Sequence, residues 1–214
     1  MSTITSQNLI DMFLAIAVAI EGDKDRLSEL DGVIGDADHG VTMSIGFSAV
    51  RKSLLALDPA EADPASVFNG AAKSFLNAVG ASSGPLYATA FMRAGAAVKG
   101  KAELDRDAMV EAFQAMAKGI QDRGKAERGD KTMVDAWLPA SEAIGEAAAK
   151  GATLGECLDA AAKAAGEGAE ATKAMLAAKG RASRLGERSL GHMDPGAAST
   201  ALIVRTMADE LAKA

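Results

Sequence analysis

Between residues 31 and 40 the chain reads DGVIGDADHG. Asp31, Asp36 and Asp38 stand five and two residues apart, with His39 beside the last and glycines at 32, 35 and 40. On one continuous helix that spacing would not line a single face. A glycine-rich loop can fold the three carboxylates inward together. Converging carboxylates raise one another's pKa and repel unless a cation joins them, and ligands that are all oxygen select a hard ion, Mg2+ or Ca2+. A calcium-binding EF-hand opened at Asp36 fails on the sequence, because Gly40, Val41 and Phe47 stand where Asp or Asn, Gly and Glu are needed. Mg2+ takes a few carboxylates together with substrate phosphates, so the stretch calls for a phosphate nearby. A solvated acidic turn is the alternative that the stretch leaves open by itself.

Other stretches supply groups for a phosphate. Gly80-Ala-Ser82-Ser83-Gly-Pro85 reads as a loop opening a helix, where backbone N–H groups and two hydroxyls suit an anion, and Gly40-Val41-Thr42 opens another beside the acidic loop. Gly124 to Thr132 reads GKAERGDKT, a phosphate-loop pattern with Asp130 inserted; no strand precedes it, so that fold is rejected and a cationic glycine-rich loop remains. The stretch GRASRLGERSLGHMDPGAAS, from Gly180 to Ser199, brings Arg181, Arg184 and Arg188 for phosphate pairing, although any single one also reads as a surface ion pair. Asp194-Pro195-Gly196 suits a tight turn at the start of the last helix. His39 and His192 both fall in these loops, as hydrogen-bonding residues or as catalysts.

The elements that must position these loops are helices. Of 214 residues, 49% are hydrophobic and only 4% aromatic. The chain is rich in the strong helix formers Ala, Leu, Met, Glu and Lys and poor in strand formers. Helices are expected from Thr5 or Ser6 to Gly22, Lys24 to Leu30, Val41 to Leu57, Pro64 to Val79, Pro85 to Lys99, Asp105 to Arg123, Thr132 to Lys150, Leu154 to Ala178 and Ala197 to Ala212, with Pro139 kinking the seventh or marking its start. An all-α up-and-down bundle or closed helical barrel fits, in one domain over residues 1–214. If the short second helix is an excursion of its loop, four inter-helix connections converge on one rim. A net charge of −6 argues against nucleic acid or anionic membrane as partner. The run Met12 to Ile20 reads as a buried helix rather than a signal peptide or membrane span. Cys157, the one cysteine, reads as a small buried hydrophobe; the location expected is the cytoplasm.

Together LDGVIGDADHG, GASSGPL, RGKAERGDKTMVDAW and GRASRLGERSLGHMDPGA resemble, in order and over nearly the whole chain, the nucleotide-binding L subunits of the dihydroxyacetone kinases. The resemblance implies a closed barrel of eight antiparallel up-and-down helices with a nucleotide, ADP or ATP, at one rim. It implies that Asp31, Asp36 and Asp38 hold two Mg2+ ions, and that His39, Gly40, Val41, Thr42, Ser82 and Ser83 line the phosphates. Gly124, Met133 and Arg181 would frame the nucleoside, and Asp194, Pro195 and Gly196 would close over it. Arg184 stands where the family often has an aromatic. Nothing in the chain looks built to capture a ketone; the resemblance places dihydroxyacetone on a separate K subunit. It also allows two donors. Either ATP exchanges, or tightly held ADP is a coenzyme recharged through a phosphotransferase-system M subunit from phosphoenolpyruvate. GERSLGHMDPGA is more similar to the second branch. An erythrulose-type acceptor, a nucleotide-binding regulatory role and a homodimer stay open.

Overall fold

The computed structural model describes residues 3–214. Nine α-helices carry them: α1 (Ser6–Gly22), α2 (Lys24–Ile34), α3 (His39–Leu54), α4 (Pro64–Ala78), α5 (Ser83–Ala97), α6 (Arg106–Gly124), α7 (Val134–Ala149), α8 (Leu154–Ala171) and α9 (Pro195–Leu211). Among the described residues no strand forms; a single bridge joins Ile4 to Leu104. The breaks obey local chemistry. Thr5 and Thr153 start α1 and α8 with reciprocal capping boxes, and Asp63 and Asp105 cap α4 and α6 through the backbone N–H of Ser66 and Ala108.

Each helix from α3 to α9 packs on the next, α9 packs on α1, and α1 packs on α3; α2 leans on α3 and α9. One apolar core runs through all of them. Its first half is aromatic. Phe13, Phe47, Phe68, Phe75, Tyr87 and Phe91 meet largely edge to face, at centroid separations such as 5.2 Å for Phe13–Phe91 and Phe47–Phe75. Its second half is alanine-rich, with Phe113 against Trp137 at 5.4 Å. Cys157 is buried there as a free thiol. Residues 12–20 form part of α1, whose inner face is buried, and no described helix is long and apolar enough to cross a membrane.

Several boundaries differ from the sequence reading. The second helix runs four residues past Leu30 to Ile34, because Leu27, Asp31 and Ile34 fall on its buried face. Asp31 is therefore a helical residue, not a loop residue. Pro139 lies inside α7 rather than at its start. The eighth helix ends at Ala171, not Ala178, where a 3-10 turn over Thr172–Ala174 leads into extended Met175. The stretch after Gly180 is not plain loop: 3-10 turns occupy Arg181–Ser189, broken at Gly186.

Candidate functional site

The N-terminal ends of α3, α5, α7 and α9 meet at one cleft of about 710 Å³, joined by the C-terminal ends of α2 and α6. All four loop stretches singled out in the sequence line it. One part of the wall is acidic and polar, from Asp31, Asp36, Asp38 and Thr42 to Ser82 and Ser83; another is apolar, with Ile34, Leu86, Ile120, Ala126 and Met133.

At the acidic end, Asp31, Asp36 and Asp38 each bring a carboxylate oxygen within 4.8 Å of the others. Asp31 is buried on α2, and its Oδ2 accepts from the N–H of Asp38 at 2.9 Å and of His39 at 3.2 Å, so it binds the first turn of α3. Ala37 takes a left-handed φ of 64° to make that corner. Two glycines are required by contact. A Cβ at residue 35 would lie 2.1 Å from Asp31 Oδ1, and one at residue 40 would lie 1.9 Å from the Lys24 carbonyl. Asp36 and Asp38 keep their side chains partly open to solvent, and the Arg181 guanidinium pairs with Asp36 while standing 3.7 Å from Asp38. Three convergent oxygen ligands, one held by backbone amides and two on the solvent side beside Arg181, suit a hard divalent ion.

Beside the acids stand backbone donors. Asp38 and Ser82, the cap positions of α3 and α5, make no capping hydrogen bond, in contrast to the caps of α1, α4, α6, α8 and α9. Among the described residues the first-turn N–H groups of Gly40, Val41 and Ser83 have no acceptor. Open donors at a helix N-terminus, with the positive end of the dipole behind them, are a ready seat for phosphate oxygens. Arg123, Lys131, Lys179 and Arg181 add positive charge to the lining.

A model of the DAK2 domain matches residues 33–209. The chain belongs to the DAK2 domain family. It is 42% identical over 195 residues to "PEP-dependent dihydroxyacetone kinase 2, ADP-binding subunit DhaL" of Listeria innocua, covering 91% of this chain and 90% of that one. It is 40% identical over 186 residues to the "PEP-dependent dihydroxyacetone kinase, ADP-binding subunit DhaL" of Escherichia coli, with 87% and 88% covered. The crystal structure of the dihydroxyacetone kinase from C. freundii in complex with AMP-PNP and Mg2+ aligns with a TM-score of 0.74 at 26% identity. The alignment covers 98% of this chain but 35% of that kinase, so the DAK2 chain spans about a third of its length. The resemblance read from four motifs is borne out, and so is an all-helical fold.

In this DAK2 domain the cleft gathers His39, Thr42, Ser82, Ser83, Gly124, Met133, Arg181, Asp194, Pro195 and Gly196 with the three aspartates. Gly40 is buried directly behind them, under α2. Val41 departs from expectation: it is 47% exposed and does not line the cleft. Arg184 and Arg188 are exposed and do not line the cleft, and His192 is likewise outside it. His39 Nε2 lies 2.9 Å from Ser199 Oγ, and burial pushes its imidazole below the ordinary range, with the Asp31 charge opposing. Asp194 accepts from the N–H of Ala197 at 2.7 Å as the cap of α9. Burial pushes its carboxyl up to about 7, the charges of Asp135 and Asp31 adding to this while Ala197 and Lys131 oppose it.

Sequence reasoning missed the buried Asp135. Its two oxygens accept from the N–H of Gly129 at 2.5 Å and of Thr132 at 2.9 Å, holding the cationic loop in shape. It lies in the quoted motif GDKTMVDAW, but a carboxylate in the first turn of a helix carries no sign of what it will hold. Lys131 entered the reading only as one cation of that loop; its contacts lie more than 40 residues away.

Proposed function

We propose that this chain is the ADP-binding phosphotransferase subunit of a phosphoenolpyruvate-dependent dihydroxyacetone kinase, a single nucleotide-binding domain. The observation that carries the reading is the meeting at one cleft of a three-carboxylate cluster and the N-terminal ends of α3 and α5, whose first turns keep N–H groups without an acceptor among the described residues. A metal–phosphate group needs both halves, and a solvated acidic turn needs neither. The names of relatives whose length this chain nearly fills support the donor assignment. The circuit of neighbours α1, α3, α4, α5, α6, α7, α8, α9 and back to α1 supports a closed eight-helix barrel with α2 as an excursion.

Asp31, Asp36 and Asp38 would hold Mg2+, two ions in the family's manner, which supplies neutralisation of the phosphate oxygens during transfer. The protein's own part is positioning. Asp31, anchored by two amides, keeps its orientation. Gly40, Val41 and Ser83 present N–H groups, and Thr42, Ser82 and Ser83 present hydroxyls. Met133 and Gly124 border the apolar part where a nucleoside would lie, and Asp194 to Gly196 bound the far side. Arg181, paired with Asp36, would exchange that partner for the nucleotide. No ketone-binding group is required here, because the acceptor would be held by a separate K subunit docked on this rim, with a phosphotransferase-system M subunit restoring the phosphoryl group in the cytoplasm.

Reconstitution tests this directly. The purified chain, a K subunit, dihydroxyacetone and the phosphoenolpyruvate phosphotransferase components should form dihydroxyacetone phosphate with ADP needed only in catalytic amount. Turnover that consumes ATP stoichiometrically and ignores phosphoenolpyruvate would replace this reading with an ATP-dependent kinase subunit. Nucleotide binding without transfer would leave a regulatory module.

A further inference from the structure

Lys131 is among the largest fully buried side chains of the molecule, 1% exposed, although it lies in a loop and carries a charge. Its Nζ donates to the carbonyls of Thr172 at 2.7 Å, His192 at 2.6 Å and Met175 at 3.3 Å. An ammonium has three donors, and here three carbonyls take them. No hydrogen remains for a phosphate, so Lys131 lines the cleft without being the phosphate lysine that the near-miss loop pattern suggests. Its backbone is held at φ 59°, a left-handed conformation that a side-chain-bearing residue keeps only where its surroundings enforce it.

The three carbonyls belong to the two ends of one segment. Thr172 and Met175 open it and His192 closes it, so a single ammonium clasps both ends of a flap that leaves α8 and returns to α9. The same base is tied by the Gly191 N–H on the Lys173 carbonyl at 2.8 Å and the Asp194 N–H on Thr172 Oγ1 at 2.9 Å. Beyond the base the flap has few ties: the Ala178 N–H donates to the Asp130 carbonyl at 3.1 Å, and the Ala177 N–H donates to Ser189 Oγ at 3.1 Å within the flap itself. Ile34, Ala177 and Ala182, with Leu185, form a small apolar cluster apart from the main core, and Arg181 reaches Asp36. A segment with so few buried apolar contacts opens at a fraction of the global unfolding free energy. It carries Gly180, Arg181 and Ala182 to the cleft, and its end sets Asp194.

We propose that Lys131 is a positioning residue: it pins both ends of the flap between Thr172 and Asp194 to the start of α7, and thereby sets how long a nucleotide stays in the cleft. The second half of this rests on the nucleotide reading; the first half does not. The test uses the full chain carrying Lys131→Met, which keeps most of the stem's packing and removes the three donors, and Lys131→Ala, which opens room for a small amine. Trypsin, without nucleotide, should cut the variants at Arg181, Arg184 and Arg188 about tenfold or more faster than the parent chain, as loss of charged hydrogen bonds implies. Dissociation of a fluorescent ADP analogue in Mg2+ should accelerate by a similar factor. In Lys131→Ala, ethylammonium should slow both processes again, while tetramethylammonium, which has no N–H, should not. Faster proteolysis in variants of a parent chain that takes no nucleotide would keep the clasp and sink the nucleotide reading. Unchanged cleavage and dissociation, acceleration without rescue by ethylammonium, or global unfolding of Lys131→Met would each overturn the proposal.

Discussion

Asp36 shows how much a residue's meaning depends on its neighbours. Taken alone it is a partly exposed acid in an ion pair with Arg181, the kind of contact that contributes little to stability. Beside Asp31 and Asp38 it completes an oxygen cluster. Asp36→Asn is therefore expected to leave the melting temperature within about a degree of the parent in the absence of ligand, while Mg2+-dependent ADP affinity falls by about 100-fold or more; calorimetric titration with and without Mg2+ checks both. Asp194 carries a different signal. Its carboxyl is raised from the ordinary value of 3.8 to about 7 in the fold, so between those values the native state holds a proton that the unfolded chain has released. Its contribution is thus present below pH 3.8 and is lost as pH rises through about 7. Asp194→Asn keeps the cap on Ala197 but does not titrate. The stability of the parent relative to this variant should fall between about pH 4 and pH 8 in denaturant titrations; a constant difference would contradict a carboxyl raised to about 7 in the fold. Asp31, Asp36 and Asp38 were legible as a cluster because glycines bracket them. The pairing of Asp36 with Arg181 and the shift at Asp194 were not, because both arise from chain segments far apart in sequence.

At the scale of elements, the site depends on α2 and α3 lying in contact at Gly40. A Cβ there would stand 1.9 Å from the Lys24 carbonyl and 2.7 Å from Ser28 Oγ, and backbone does not yield as a flexible side chain would. Gly40→Ala should cost on the order of 2 kcal/mol or more and, by tilting α3, weaken Mg·ADP binding as well; thermal unfolding and titration measure the two effects. The helices themselves were largely legible. Proline starts α4 and α9, aspartate or threonine caps stand where expected, and the cap spacing in α1 and α8 gives reciprocal pairs. What failed was the end of α2 and the end of α8. Gly32 reads as a loop residue but is carried inside α2, because Leu27, Asp31 and Ile34 bury the same face. Alanine propensity extends α8 on paper to Ala178, but Thr172 turns its hydroxyl back to Ala169 and accepts from Asp194, and the chain leaves the helix there. Tertiary contacts outweighed local propensity in both cases.

The whole molecule is an acidic chain of net charge −6 whose cleft nevertheless has four cations in its lining and open helix N-termini. Such a site takes an anion only if its own carboxylates are bridged by metal, so the two ligands should act together. At about 100 times Kd, Mg·ADP should raise the melting temperature by about 5 to 10 °C, whereas ADP with a chelator or Mg2+ alone should give far less. The convergence of four loops on one rim was readable from glycine, hydroxyl and charge content. The order of helix neighbours that builds the rim was not, because it follows from packing among faces that are similarly alanine-rich. The most direct measurement is the nucleotide carried by the purified chain, followed by a chase with excess labelled Mg·ATP. Bound ADP that resists exchange is the result this account predicts. A chain that carries no nucleotide and takes none up with Mg2+ would contradict the reading of Asp31, Asp36 and Asp38 as half of a metal–phosphate site.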